Sequence, residues 1–166
     1  MKTLIIGITL LLLMGRVSLA QRQVALTIDD VPNTVTYKDH DFESQLLHTT
    51  DSLQIPVTVF IVESNIYKTD SVVQNFRLLD HWIQRDYITP GNHSFTHLHY
   101  STAGFVKFTR DLLKGEAITR ELARKEQKEL KYFRFPYNDL GADSAQHDSI
   151  TRFLEENNYT AAPFTI

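Results

Sequence analysis

Cysteine is absent from all 166 residues. That absence excludes disulfide cross-links, a thiolate nucleophile, a thiolate metal site and lipid attachment through cysteine. Basic clusters are missing too: 17 lysines and arginines stand against 20 aspartates and glutamates, a net charge of −3. Nucleic-acid binding rests on neutralising phosphates, so no nucleic-acid partner is expected. Beyond the N-terminus there is no second long apolar run, no repeat and no low-complexity segment. With 42% hydrophobic and 22% charged residues, the composition is that of one soluble globular domain.

The one long apolar run lies at the start. Lys2 supplies a positive charge, Leu4 to Met14 is almost wholly apolar, and Ser18-Leu19-Ala20 offers small residues for a signal peptidase. The run is shorter than the roughly 20 residues a bilayer span needs. Residues 1–20 are therefore read as a secretory signal peptide, cut before Gln21. The expectation is a chain exported to the periplasm or beyond the cell, with no stable membrane insertion after cleavage.

In residues 21–166, short β-rich runs alternate with periodic ones. Val24 to Ile28 predicts a strand that ends at Asp29-Asp30, and Val57 to Val62 predicts a buried one. Phe42, Leu46, Thr49 and Leu53 recur at helical spacing, as do Val72, Phe76, Leu79 and Ile83 behind a capping box of Ser71 and Gln74. Asp86 to Thr89 predicts a short strand before Pro90-Gly91, and residues 101–126 predict helix with a break near Gly115. Lys131 to Phe135 predicts another strand, Asp143 with Gln146 caps a helix through Ile150, Phe153 and Leu154, and Tyr159 to Ile166 closes as a strand. Such alternation predicts a parallel sheet covered by helices, either doubly wound or a (β/α) barrel. Both gather chemistry at the carboxyl ends of strands.

Three of the seven histidines fall within GNHSFTHLHY, residues 91–100. His93 and His97, four apart, can grip one metal ion from one side. A metalloprotease helix would carry glutamate after the first histidine, and here that place is Ser94. A carboxylate must come from elsewhere, and Asp29-Asp30 is the source expected. Two imidazoles and a carboxylate leave coordination positions open, which suits activation of water and polarisation of a carbonyl. The same set describes non-haem iron oxygenases, but these usually place a histidine and a carboxylate two apart on one strand. The spacing here favours hydrolysis.

LTIDDVPN, GNHSFTH and FRFPYND, in that order, resemble the first three motifs of the polysaccharide deacetylases, the NodB homology domain or carbohydrate esterase family four. The likeness runs from Val24 to the end. It implies an irregular (β/α) barrel of fewer than eight strands, C-terminally incomplete in this chain. It implies Asp29 as catalytic base and Asp30, His93 and His97 as ligands of a divalent metal: zinc first, with cobalt and nickel as alternatives. Arg134 would hold Asp29 by a charge-assisted hydrogen bond, and the backbone N–H of Tyr137 would stabilise the oxyanion. Ser94 and Pro136 would support these residues, Pro136 by stiffening the turn before Tyr137. His99 matches no ligand and is expected at the surface or behind the ligands. The implied partner is an acetylated carbohydrate, an N-acetylglucosamine polymer or acetylxylan; no oligomeric state is implied.

Two departures stand out. Val31 and Pro32 follow the aspartate pair where the family has glycine first. The family's later aspartate–tryptophan and leucine-x-histidine motifs, the second of which carries the general acid, have no counterpart before Ile166. Residues 21–166 are thus expected to be the N-terminal part of a deacetylase domain, weakly active or inactive, with no general acid in this chain. The alternative is a catalytically dead carbohydrate-binding module that keeps the shape of the metal site.

Overall fold

The computed structural model describes residues 24–163. The expected signal peptide and the last three residues of the expected final strand lie outside them. Strand β1 (Leu26–Val31) leads through helices α1 (Thr34–Asp39) and α2 (Gln45–Leu53) to β2 (Val57–Ile61). A 3₁₀ turn at Glu63–Tyr67 and helix α3 (Val72–Gln84) precede β3 (Ile88–Asn92). Helices α4 (Tyr100–Ala103), α5 (Phe105–Lys114) and α6 (Ala117–Lys125) then lead to β4 (Tyr132–Phe133). A 3₁₀ turn at Pro136–Asn138 and helix α7 (Ser144–Glu156) lead to β5 (Thr160–Ala161).

All pairings are parallel and the strand order is β1-β2-β3-β4-β5. A doubly wound sheet reverses its order at a switch point. A strictly sequential order with right-handed crossovers keeps the helices on one face, as in part of a barrel. The sheet is open: β1 pairs with β2 and β5 with β4, each on one side among the described residues. Of the two architectures compatible with the sequence, the barrel-like one is present. No helix among the described residues is long and apolar enough to cross a membrane.

Side chains alternate across the sheet. Val57, Val59 and Ile61 face the helices and pack with Leu78, Leu79, Trp82 and Ile83 of α3. With Asn75, these α3 residues form one buried stripe at positions i, i+3, i+4, i+7 and i+8. A second core joins Tyr100, Phe108 and Leu112 to Phe133, Phe135, Ile150 and Leu154. Each such side chain, fully buried, contributes about 1.5–3 kcal/mol. The other face is more polar: Thr27, Thr58 and Thr89 stand in register across β1, β2 and β3, with Phe60 and Arg134 lining the same open cleft.

Several expectations need correction. The aspartates do not follow β1 but lie within it, because the strand continues to Val31. Strand β3 likewise runs through Pro90 and Gly91. His93 N donates to Ile61 O while Asn92 O accepts from Arg134 N, so alternate residues of β3 face opposite neighbours. Pro90 shares the parity of Asn92, and its missing N–H faces β4, whose ladder opens only at Gly91. Ser71 sits at the N-cap of α3 without capping it; its hydroxyl binds Asp70 Oδ1 at 3.1 Å. In α2 the buried residues are Leu47 and Thr50, whereas Leu46 and Leu53 are exposed and Phe42 lies outside the helix. Val72 and Phe76 of α3 are exposed as well. The break at Gly115 and the Asp143 cap, which accepts from Gln146 N at 2.8 Å, agree with the expectation. Strands β4 and β5 are two residues each, shorter than predicted.

Candidate active site

The site forms where β1, β3 and β4 end on the polar face. Between Ile28↔Val59 and Val31↔Ile61, two residues of β1 oppose one of β2, which makes a β-bulge of Asp29 and Asp30. A bulge breaks the alternation of side chains, so adjacent carboxylates can serve one site. Asp30 adopts φ 60°, a left-handed conformation that aspartate tolerates better than most residues. The side-chain amide of Asn65, from the 3₁₀ turn, donates to Asp30 O at 2.9 Å and holds the bulge.

Strand parity also places Arg134. Phe133 and Phe135 enter the helix-side core, which turns Arg134 to the inner face. There it is 5% exposed. Its Nη1 donates to Asp29 Oδ1 and to Thr27 Oγ1, both at 2.8 Å, and Nη2 donates to Pro163 O at 3.2 Å. The guanidinium lies 4.1 Å from the centre of the Phe60 ring. Asp29 is thereby fixed from behind.

His93 follows β3 and is buried, with Nδ1 2.7 Å from Arg134 O. Donation from Nδ1–H to that carbonyl leaves the Nε2 lone pair free, the arrangement that metal-ligating histidines use. Its Nε2 faces His97 Nε2 at 3.2 Å, and His97 Nε2 lies 3.4 Å from Asp30 Oδ1. Burial pushes both imidazoles below their usual pKa, which keeps them neutral and fit to donate lone pairs.

The loop between the histidines is tied from three directions. Ser94 Oγ accepts from His97 N–H at 3.0 Å. Asn92, wholly buried, accepts from Ser94 N at 2.7 Å and donates to Leu112 O and to Tyr159 Oη. The Asp111 carboxylate accepts from the backbone N–H groups of Phe95 and Thr96 and from the Thr96 hydroxyl. Gly115 lets the end of α5 approach closely: a Cβ there would stand 2.4 Å from the Ser94 carbonyl carbon.

Pro136 opens the last turn, and Tyr137 follows at φ 58° and ψ 13°. Its ring lies 4.4 Å from the His97 ring and 3.6 Å from the His99 ring, centre to centre. Asp30, His93 and His97 thus converge beside the Asp29–Arg134 pair, with Tyr137 packed on His97 and His99; Ser94 bonds the His97 backbone, and Pro136 only opens the turn. The sequence does not point to Asn92, Asp111 or Asn65 as site residues, and it marks Gly115 only as a helix break. Asn92 directly precedes His93 and had that signal; nothing in the local pattern of Asp111 or Asn65 sets them apart.

One atom from each of Asp30, His93 and His97 can be chosen so that no two are more than 4.8 Å apart. Ligands on one tetrahedral zinc with bonds of about 2.0–2.1 Å stand roughly 3.3 Å apart. The 3.2 and 3.4 Å separations match, and the Asp30 side chain, 63% accessible, has room to swing in. The residues fit a divalent cation.

The polysaccharide deacetylase profile matches residues 16–165. No curated protein matches the chain. Among solved structures, a family 4 carbohydrate esterase from Streptomyces lividans in complex with acetate is similar at TM-score 0.59 and 22% identity, covering 86% of this chain and 62% of its own. A polysaccharide deacetylase from Bacillus cereus follows at 0.57 and 20%, covering 87% and 61%. A family 4 pseudoenzyme from Bacillus anthracis shares the fold at 0.57 and 16%, covering 86% and 43%. The chain therefore spans less than half the length of the pseudoenzyme and about three fifths of the other two. At these identities the structures establish the fold alone, and the profile match across nearly the whole sequence places the chain in the polysaccharide deacetylase family.

Proposed function

We propose that the site performs metal-dependent hydrolytic removal of acetyl groups from a carbohydrate polymer, an N-acetylglucosamine polymer or an acetylated xylan. The observation that carries this reading is the convergence of Asp30, His93 and His97 beside an Asp29 held by Arg134. Asp30, His93 and His97 would hold the ion, zinc before cobalt or nickel. When bound, it supplies Lewis acidity toward a carbonyl and a lowered pKa for water.

Attack by water and stabilisation of the tetrahedral intermediate are assigned to the chain's own residues; protonation of the leaving group is assigned to none of them. Asp29 accepts a proton from the attacking water, and its ion pair with Arg134 holds its carboxylate in place. The backbone N–H of Tyr137, on a turn stiffened by Pro136, is assigned to the developing oxyanion. Ser94 holds His97 through its backbone N–H.

The test is zinc binding by equilibrium dialysis together with acetate release from acetylated chito-oligomers and acetylxylan. His93→Ala and His97→Ala should each weaken zinc binding by more than about a hundredfold and abolish release. Equal zinc uptake by the parent and both variants would end this reading. A second reading, a catalytically silent carbohydrate-binding module, is supported by the pseudoenzyme of the same fold. It predicts zinc and glycan binding without acetate release.

A further inference from the structure

Two of the three clustered histidines serve the candidate metal site, which leaves His99 without a role. We propose, resting on the deacetylase reading, that His99 is a positioning residue acting through Tyr137. Its imidazole clamps the Tyr137 ring and so fixes the backbone N–H that faces the acetyl carbonyl.

Tyr137 needs a clamp. It occupies the left-handed region at φ 58°, which costs free energy for a residue with a bulky side chain. The residue is 57% exposed, so it is not held in the core. Two imidazoles pack on the ring: His97 edge-on at 4.4 Å and 63°, and His99 face-on at 3.6 Å with 8° between the planes. The nearly parallel stack covers one face of the tyrosine.

The clamp itself is anchored. Asp139 Oδ2 lies 3.5 Å from His99 Nδ1. The same carboxylate accepts from Ser101 N at 2.9 Å, Ser101 Oγ at 2.7 Å and Gly141 N at 3.1 Å. Asp139 therefore ties the histidine loop to the turn that carries Tyr137, and the stack closes the same joint a second time. His99 is not a further ligand, because the converging donor atoms come from Asp30, His93 and His97 and its ring lies flat on Tyr137.

The experiment compares the full chain with His99→Ala and His99→Phe, the second of which keeps a flat ring and removes Nδ1. Backbone amide and ring resonances of Tyr137 are followed by NMR in metal-free protein. Zinc affinity, and acetate affinity of the zinc-loaded chain, are measured by calorimetry. His99→Ala should shift and broaden the Tyr137 resonances and weaken acetate binding about three- to tenfold, the range of one aromatic pair. Zinc affinity should stay within about twofold, because an aromatic pair and not a ligand is lost. His99→Phe should restore the resonances and the acetate affinity. Unmoved Tyr137 resonances in His99→Ala, an equal loss of zinc and acetate affinity, or failure of His99→Phe to rescue would each overturn the clamp. A parent chain that takes up no zinc would sink the deacetylase reading, while the metal-free Tyr137 resonances would still decide the clamp.

Discussion

Arg134 and Asp29 lie 105 positions apart in sequence, and their side chains meet at 2.8 Å across the inner face of the sheet. The guanidinium is buried and also bonds Thr27 and Pro163, so the pair joins the two ends of the described chain as well as aiming the carboxylate. A lysine in its place would carry the charge without the planar fork. Arg134→Lys should lower kcat for acetate release roughly 10- to 100-fold, as expected for a charged hydrogen bond of about 1.5–3 kcal/mol. Wild-type kcat in this variant would remove Arg134 from the machinery.

Asn92 satisfies the loop from within the core, with one acceptor and two donor bonds. Asn92→Ala removes the acceptor of the buried Ser94 N–H, while Tyr159 Oη keeps Glu116 and Arg120. The expected cost is about 1–3 kcal/mol of stability. Zinc affinity should fall about 10- to 100-fold, the usual effect of removing a group behind a ligand. Denaturant unfolding and zinc titration of the same preparation check both.

Gly115 has no space for a side chain, because its Cβ would meet the Ser94–Phe95 backbone at 2.4–2.5 Å. Gly115→Ala should push the histidine loop outward, destabilise the fold by about 1–3 kcal/mol and weaken zinc binding. Calorimetric melting with and without zinc measures the two effects. An unchanged melting temperature would show that α5 yields without cost.

Glu63 is 1% exposed, and burial lifts its carboxyl above the ordinary glutamate range despite the bond from Thr119 N–H at 2.6 Å. Between the unfolded pKa and this raised value the folded chain holds a proton that the unfolded chain has released. Its contribution to stability is thus fully present below the unfolded pKa and is lost as pH rises through the folded one. Glu63→Gln keeps an acceptor for Thr119 and removes the titration. Urea unfolding from pH 4 to 8 should show a weaker decline of stability with pH in the variant; parallel curves would contradict the assignment.

Much of the fold was legible because apolar alternation reports strands and capping residues report helix starts. Val57 to Ile61 is an apolar run with one threonine, and all of it but that threonine is buried. Asp143 with Gln146 marks the start of α7. Helical spacing alone predicts the wrong face of α2, because Leu46 and Leu47 are neighbours and either can start a helical stripe. The sheet beneath it selects Leu47. Pro90 and Gly91 looked like loop residues by propensity, yet parity and the crowding of Phe60 against Gly91 make them strand residues.

By itself the sequence determined the chemical inventory: two imidazoles four apart, a pair of carboxylates, and an arginine and a tyrosine flanking a proline, set in a strand–helix alternation. Side-chain identity and short-range periodicity are local properties, and they survive being read one residue at a time. Only the tertiary structure decided that a bulge gives both aspartates to one site, that Asn92 and Asp111 tie down the histidine loop, and that His99 stacks on Tyr137. These depend on sheet register and on contacts between segments far apart in the chain. No local pattern encodes them, because each contact forms only after the intervening strands have taken their places.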